Sequence, residues 1–227
     1  MSVKYNTITF ELVHDIGHLI LDQPPSNKMT IDFFSEFHHL LDGLHSMEHL
    51  KAIVISGRGR HFSAGADLDQ LLSLVRHESQ KNSGGETVDL PSFLEKNYKT
   101  FLSLEALNIP VIAAIRGVCL GSGFELALFC HFRFCGEDAL FGLPESTYNL
   151  IPGIGGTSRI SLLSGKSKAL ELVLHGNTFP AEDALGFHLV DKIFPKKQVV
   201  EMAIGFAEKI TTSYKKEKAK LYLNKLL

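Results

Sequence analysis

Two glutamates lie in glycine-rich surroundings that suit acid–base chemistry. Glu125 comes shortly after the run Gly121-Ser122-Gly123, and Glu145 closes the tetrapeptide Gly142-Leu-Pro-Glu145, 20 residues further along the chain. A carboxylate can accept, hold and return a proton, and two carboxylates beside one bound molecule can act as a general acid and a general base. The pair therefore predicts proton transfer to and from a carbonyl compound.

The segment that precedes Glu125 predicts a site for a negatively charged oxygen. Residues 110–115 form a short β-branched apolar run typical of a buried strand, residues 117–123 are rich in glycine, and residues 124–130 have helical composition. Such a junction presents unpaired backbone N–H groups and the positive end of a helix dipole. Charge that develops on a carbonyl oxygen would be stabilised there.

A second glycine-rich turn, residues 57–68, follows the strand-like run at residues 51–56. Its glycines do not have the spacing of the dinucleotide fingerprint, and it contains no Walker lysine. Ligands of open α/β folds bind at the carboxyl ends of the strands. We therefore expect this turn to belong to a binding site, although a plain connection between strand and helix is the alternative.

The elements that must position these turns alternate between strands and helices. Strands are predicted at residues 7–13, 16–21, 51–56, 110–115, 132–135, 139–141 and 189–193. Helices are predicted from Thr30 or Asp32 onward and at residues 69–75, 93–107, 124–130, 159–163, 167–175, 181–185 and 198–223. The inner side of the helix at residues 93–107 is predicted to comprise Phe93, Leu94, Tyr98, Phe101, Leu102 and Leu104. This alternation favours a parallel-sheet or spiral α/β arrangement.

Composition narrows the class of protein. With 227 residues, 44% of them hydrophobic, the chain can bury a core as one domain. A net charge of −2 argues against nucleic acid as a partner, because a phosphate backbone requires a basic face. Three cysteines without metal-type pairing indicate a reducing compartment. With no signal peptide and no run long enough to span a bilayer, we expect a cytoplasmic protein.

Three features are expected to lie outside the chemistry. Residues 76–89 are the most polar stretch and predict a mobile lid or a tolerated insertion. The lysines at positions 215–225 predict a solvated helix face. His45 and His49 are spaced as two metal ligands could be, but no third ligand follows, so no metal site is expected.

Five ordered motifs resemble those of the crotonase superfamily, the enoyl-CoA hydratase/isomerase family. They are Phe62-Ser-Ala-Gly-Ala-Asp67-Leu68, Ala113-Ala-Ile-Arg-Gly117, Gly121-Ser-Gly-Phe-Glu125-Leu-Ala127, Phe141-Gly-Leu-Pro-Glu145 and Ile151-Pro-Gly-Ile-Gly-Gly-Thr157. The resemblance implies an α/β fold, a spiral of ββα units over residues 1–195. A helical C-terminal segment, residues 196–227, would be shorter than usual for the family.

The resemblance also implies a set of site residues. The backbone N–H groups of Ala64 and Ser122 would form the oxyanion hole, and the CoA part of a thioester would contact Ser122 and the segment Ala64, Gly65, Ala66, Asp67 and Leu68. Glu125 and Glu145 would match the two carboxylates of the family's hydratases. Glu125 would chiefly activate water, and Glu145 would chiefly transfer a proton at Cα.

The activity implied is that of an enoyl-CoA hydratase of fatty acid metabolism. It would need no cofactor, because coenzyme A enters as part of the substrate, and its assembly would be a homotrimer or a dimer of trimers. The alternatives are an enoyl-CoA isomerase, another crotonase-type lyase or hydrolase, and a non-catalytic acyl-CoA binder. A separate hypothesis reads Gly117-Val-Cys119-Leu-Gly121 as the nucleophile elbow of a cysteine hydrolase.

Overall fold

The computed structural model describes residues 2–44, 46–79 and 90–213. Its strands are β1 (Ser2–Lys4), β2 (Ile8–Val13), β3 (Ile16–Leu21), β4 (Ala52–Gly57), β5 (Val111–Ile115), β6 (Val118–Leu120), β7 (Phe132–Gly136), β8 (Leu140–Gly142), β9 (Phe179–Pro180) and β10 (Lys192–Phe194). Its helices are α1 (Ile31–Leu44), α2 (Leu68–Ser79), α3 (Leu90–Glu105), α4 (Ser122–Leu128), α5 (Gly156–Ser164), α6 (Lys166–His175), α7 (Ala181–Gly186) and α8 (Val199–Ser213), with a 3-10 helix at Pro144–Tyr148.

The strands form two sheets. The larger has seven strands in the order β1-β2-β3-β4-β5-β7-β10, and it is parallel from β3 through β10. The smaller sheet has the order β6-β8-β9, with β6 and β8 parallel. The predicted mixed α/β, crotonase-like architecture is confirmed, and so is the hairpin of β2 and β3.

The central strands are buried on both faces, and alternate side chains enter two different cores. Ile53 and Ile55 of β4 pack in the main core with α1, α3 and α4. Val54 of the same strand packs beneath α8, against its residues Val199 and Ala203. Because strand side chains alternate between faces, this burial explains why the strand sequences are continuously apolar. Helix α8 thus covers one face of the sheet.

Some sequence predictions differ from the structure at the ends of the elements. Leu102 is 38% exposed, so placing it on the inner side of α3 was wrong. The strand predicted at residues 189–193 begins only at Lys192, because Leu189 and Val190 instead close the turn after α7 with hydrogen bonds to the Ala184 carbonyl. Residues 80–89 of the polar stretch, His45 and the lysines beyond residue 213 lie outside the described residues.

Candidate active site

The two glutamate-bearing turns are brought together by the register of β6 and β8. Leu120 of β6 pairs with Gly142 of β8, so the residues that follow each strand emerge side by side. The Gly121 N–H donates to the Gly142 carbonyl at 3.0 Å and continues the pairing by one residue. Glu125 in the first turn of α4 and Glu145 in the 3-10 helix therefore face the same region.

The second glycine-rich turn joins them through Ser63, which forms a parallel bridge with Cys119 of β6. The Leu120 N–H donates to the Ser63 carbonyl at 3.0 Å. At Gly65 a Cβ would lie 2.8 Å from the Leu120 carbonyl oxygen, and φ is +90°, so only glycine fits this approach. Three segments that are distant in sequence thus meet within a few ångströms.

A cavity of about 250 Å³ lies where the segments meet. The residues that line it with polar side chains are Ser122, Glu125, Glu145 and Tyr148, and the remaining lining is largely apolar. The apolar lining residues are Phe34, Ala64, Ala66, Leu68, Leu71, Phe93, Leu94, Leu120, Pro144, Leu150, Ile151 and Ile154. A cavity that is mostly apolar with a few converging polar groups is the usual form of a small-molecule site.

Glu125 is 1% exposed and is held by backbone donors. Its Oε1 accepts hydrogen bonds from the N–H groups of Ile154 and Gly156, each at 2.9 Å, at the N-terminus of α5. Burial and then the neighbouring charge of Glu145 raise its pKa to about 7, although the two N–H donors act in the opposite direction. One carboxylate oxygen is therefore fixed, and the group exchanges a proton near neutral pH.

Glu145 occupies the first turn of the 3-10 helix, after Pro144. Among the described residues, its buried Oε2 has no hydrogen-bond partner. Burial raises the pKa of this carboxyl to about 7. A Cβ at Gly121 would lie 3.0 Å from Oε1 of Glu145, so the glycine leaves room for the acid. Two carboxyls with raised pKa values at one cavity form a pair that can share a single proton.

The backbone donors of the cavity differ from the predicted pair at one position. The Ala64 N–H donates to the Ser26 carbonyl at 2.8 Å, so the prediction that it serves the oxyanion hole was wrong. The Gly65 N–H is also occupied, by Ser63 Oγ at 3.0 Å. Within the described part of the chain, the N–H groups of Ala66 and Ser122 have no protein acceptor, and both residues line the cavity. Ala66 therefore takes the place of Ala64 as the candidate donor.

The comparisons with known proteins agree with this arrangement. The family model described as enoyl-CoA hydratase/isomerase matches residues 13–224. The chain belongs to this family, the crotonases. A probable enoyl-CoA hydratase of Bacillus subtilis (strain 168) is 33% identical over 226 residues, which cover 97% of this chain and 84% of that protein.

Two further comparisons show how broad the likeness is. The peroxisomal Delta(3,5)-Delta(2,4)-dienoyl-CoA isomerase of Arabidopsis thaliana is 32% identical over 83% of this chain and 69% of its own length. The crystal structure of an enoyl-CoA hydratase from Bacillus anthracis superposes with a TM-score of 0.84 at 30% identity, covering 96% of this chain and 81% of the other. Hydratases and an isomerase thus resemble this crotonase to similar degrees.

The residues predicted to contact CoA fall into two groups, those that line the cavity and one that does not. Ala64, Gly65, Ala66 and Leu68 line the cavity, whereas Asp67 does not. Asp67 instead accepts from the Gln70 N–H at 3.2 Å in the first turn of α2 and pairs with Lys28 at 3.1 Å. The hydrogen bond from Gln70 and then the ammonium of Lys28 lower its pKa.

The hypothesis of a cysteine nucleophile is wrong. Cys119 lies within strand β6 rather than on the turn that follows, and its side chain is fully buried. Burial raises its pKa well above the usual range, which leaves the thiol protonated and unreactive. Cys119 is a small core residue.

Sequence reasoning missed two residues that hold the site in shape. Asn27 is 2% exposed, and its Nδ2 donates to the carbonyls of Arg58, His61 and Phe62. Ser63 Oγ donates to the Asn27 carbonyl at 2.7 Å while it accepts from the Gly65 N–H. The left-handed conformation of Asn27, with φ of +49°, could have been predicted from the sequence, since asparagine after Pro-Pro-Ser favours such a turn. Its hydrogen bonds to distant carbonyls could not have been predicted in this way.

Proposed function

We propose that this crotonase is an enoyl-CoA hydratase, which adds water across the 2,3 double bond of a 2-enoyl-CoA thioester. The observation that carries the proposal is the cavity itself, where two carboxyls with raised pKa values face the same space as two backbone N–H groups that have no acceptor among the described residues. The relatives support the substrate class, because their names refer to enoyl-CoA and dienoyl-CoA thioesters. Acyl-CoA is thus the proposed small-molecule partner.

In the proposed reaction the thioester oxygen accepts hydrogen bonds from the N–H groups of Ala66 and Ser122. Negative charge develops on this oxygen when a nucleophile adds at Cβ, and preorganised donors stabilise it without solvent rearrangement. The effect amounts to roughly 3–4 kcal/mol per donor in well-studied cases. Ser122 serves through its backbone, so its side chain does not prevent the role.

The two acids then act on one water molecule. Glu125, fixed through Oε1 by two N–H groups, accepts a proton from the water as the hydroxyl bonds to Cβ. Glu145 in its protonated form gives a proton to Cα, which completes a syn addition, and proton exchange with solvent restores the pair. This sequence needs one ionised and one protonated carboxyl, and pKa values of about 7 favour that state at neutral pH. The proposed steps are the addition of the water oxygen to Cβ and two proton transfers, none of which requires a cofactor.

An isomerase is the second candidate, because a dienoyl-CoA isomerase is 32% identical to the chain. Moving a pair of double bonds requires proton exchange at two distant carbons and hence an acid further along the acyl chain. Among the described residues that line the cavity, the carboxylates are Glu125 and Glu145, and they lie close enough for the charge of Glu145 to raise the pKa of Glu125. This arrangement favours hydration.

The test is the ultraviolet absorbance of a short 2-enoyl-CoA, because hydration destroys the conjugated thioester chromophore. Wild type should remove the absorbance, whereas Glu125→Gln and Glu145→Gln should each lower kcat by at least about 10²-fold. Glu137→Gln, a change at an exposed glutamate away from the cavity, is the matched control.

Absence of decay with wild type across short and medium chains would contradict the hydratase proposal. Isomerase activity would then be measured with 3-enoyl-CoA and dienoyl-CoA substrates. Binding of CoA thioesters without any turnover would identify a non-catalytic acyl-CoA binder.

We also propose the assembly that the family resemblance suggests, a homotrimer or a dimer of trimers. Three leucines on the adjacent helices α5 and α6 support association, since Leu162, Leu170 and Leu174 are 74%, 56% and 71% exposed. Exposed apolar patches commonly mark protein interfaces.

No helix among the described residues is long and apolar enough to cross a membrane, and cytoplasmic location stays a prediction.

A further inference from the structure

Three helices contribute apolar side chains to one wall of the cavity. These side chains, which we call the apolar wall, are Phe34 of α1, Leu71 of α2 and Phe93 of α3. If the thioester carbonyl lies at Ala66 and Ser122, the carbon chain beyond Cβ must extend among apolar side chains. The wall is therefore placed to meet the acyl tail.

A second, smaller cavity of about 10 Å³ is lined by the same three side chains. It shares Phe34, Ala66, Leu71 and Phe93 with the first cavity. Its other lining residues are Met29, Ile31, Asp67, Gln70 and Leu74. The two cavities therefore adjoin at these shared residues, so truncating a shared side chain enlarges the space available to both.

The members of the wall differ in how firmly they are held. Phe34 is 4% exposed and packs against the rings of Phe33 at 5.4 Å and Phe101 at 6.3 Å, deep in the core. Among the described aromatic residues, Phe93 contacts only the ring of Phe34, edge to face at 5.2 Å. Phe93 is only partly buried, so its ring can be removed with less damage to the core than that of Phe34.

We propose that Phe93, seated edge-on against Phe34, limits the length of the acyl chain that the site accepts. The inference rests on the proposed function, since it assumes an acyl-CoA thioester in the cavity. With the ring in place, the chain stops at the wall, and further methylenes must turn back toward water. Without the ring, the available space is larger and longer chains are buried.

The experiment compares wild type with Phe93→Ala in the binding of saturated acyl-CoA thioesters from butanoyl to hexadecanoyl. For wild type, affinity should rise with chain length and then level off. For Phe93→Ala, it should continue to rise beyond that point, by up to roughly fourfold for each further buried methylene. Leu102→Ala on the same helix is the matched control, because Leu102 is 38% exposed and lines neither cavity.

Parallel profiles for wild type and Phe93→Ala would overturn the inference. Circular dichroism checks folding, and if Phe93→Ala is unfolded, the smaller truncation Phe93→Leu is scored by the same criterion. Saturated thioesters undergo no hydration, so the shift in binding is measured independently of turnover. A shifted profile in a protein that hydrates no enoyl-CoA would contradict the proposed function and still support the role of Phe93.

Discussion

Glu125 and Glu145 show how burial prepares a carboxyl for proton transfer. Each lies in an apolar cavity, and burial is the largest cause of the raised pKa in both. The backbone donors to Glu125 lower its pKa by less than burial raises it. The pKa therefore stays near 7 instead of falling below the ordinary value for a glutamate. Ionising such a group in the folded protein costs free energy. The two acids of the site therefore lower the free energy of unfolding at pH values where they are ionised.

At the residue scale, we predict that Glu125→Gln stabilises the fold in a pH-dependent way. The folded pKa is about 7 against an ordinary value of 4.5, so wild type bears the full cost of ionisation above pH 7. As pH falls, the folded carboxyl takes up a proton before the unfolded one does, and the cost disappears below about pH 4.5. Urea unfolding should therefore show the variant more stable by about 3 kcal/mol at pH 8 and nearly equal to wild type near pH 4.5.

The same measurements on Glu137→Gln, at an exposed position, provide the control for replacing a carboxyl by an amide. A Glu125→Gln variant that differs from wild type by the same amount at both pH values would contradict the prediction.

At the scale of elements, the site depends on three segments that pair edge to edge. Strand β6 lies between strand β8 and the extended residues around Ser63, and the hydrogen bonds on both of its edges align the turns that follow. Helix α5 completes the arrangement, because its N-terminus holds Glu125. Arg159 braces α5 through an ion pair with Glu105 and a position 4.5 Å above the ring of Phe129.

We predict that Ser63→Ala weakens both the fold and the oxyanion hole. The substitution leaves the buried Gly65 N–H without its acceptor, which should lower the free energy of unfolding by about 1–3 kcal/mol. Because Ala66 is the next residue, its N–H would be less firmly aimed, and kcat for hydration should fall by about tenfold with little change in KM.

The control for this change is Ser103→Ala, because the Ser103 hydroxyl donates to a neighbouring carbonyl of the same helix, that of Thr100 in α3. If Ser63→Ala retained wild-type kcat despite a loss of stability, Ser63 would be structural and would not position the donor.

At the scale of the whole molecule, Leu162, Leu170 and Leu174 are among the most exposed large apolar side chains of the described residues, together with Ile151 and Val13. Leu170 and Leu174 lie four residues apart on one side of α6, opposite its buried residues Ala169, Leu172 and Val173. A helix with apolar residues on its solvent side is expected to meet another surface. A second copy of the chain is the occupant that the proposed assembly requires.

We predict that the double substitution Leu170→Glu and Leu174→Glu reduces the assembly to smaller species. Light scattering after size-exclusion chromatography should give a trimer or hexamer mass for wild type and a monomer mass for the variant, because charge at the patch opposes its burial. Substituting Lys168 and Glu171 by alanine on the same helix provides a control outside the leucine pair. A wild-type protein that is monomeric at high concentration would contradict the assembly proposal.

The sequence by itself determined the family, the fold class and the two acids of this protein. The alternation of apolar residues identified the central strands, because burial on both faces leaves a continuous apolar run. The glycines marked the turns, because close backbone approach and positive φ at positions such as Gly65 and Gly121 exclude other residues. The types and neighbours of Glu125 and Glu145 predicted a pair of carboxyls at one site, and both line the cavity, while their catalytic role stays a prediction.

Only the tertiary structure decided which backbone N–H groups are available. Ala64 and Ala66 are alike in sequence, yet Ser26 takes the N–H of the first and leaves that of the second without an acceptor among the described residues. Likewise, Asn27 and the wall at Phe93 act through partners far away in the chain. A hydrogen bond or a ring contact between distant segments depends on their final distance and angle, and no local pattern of residues encodes these.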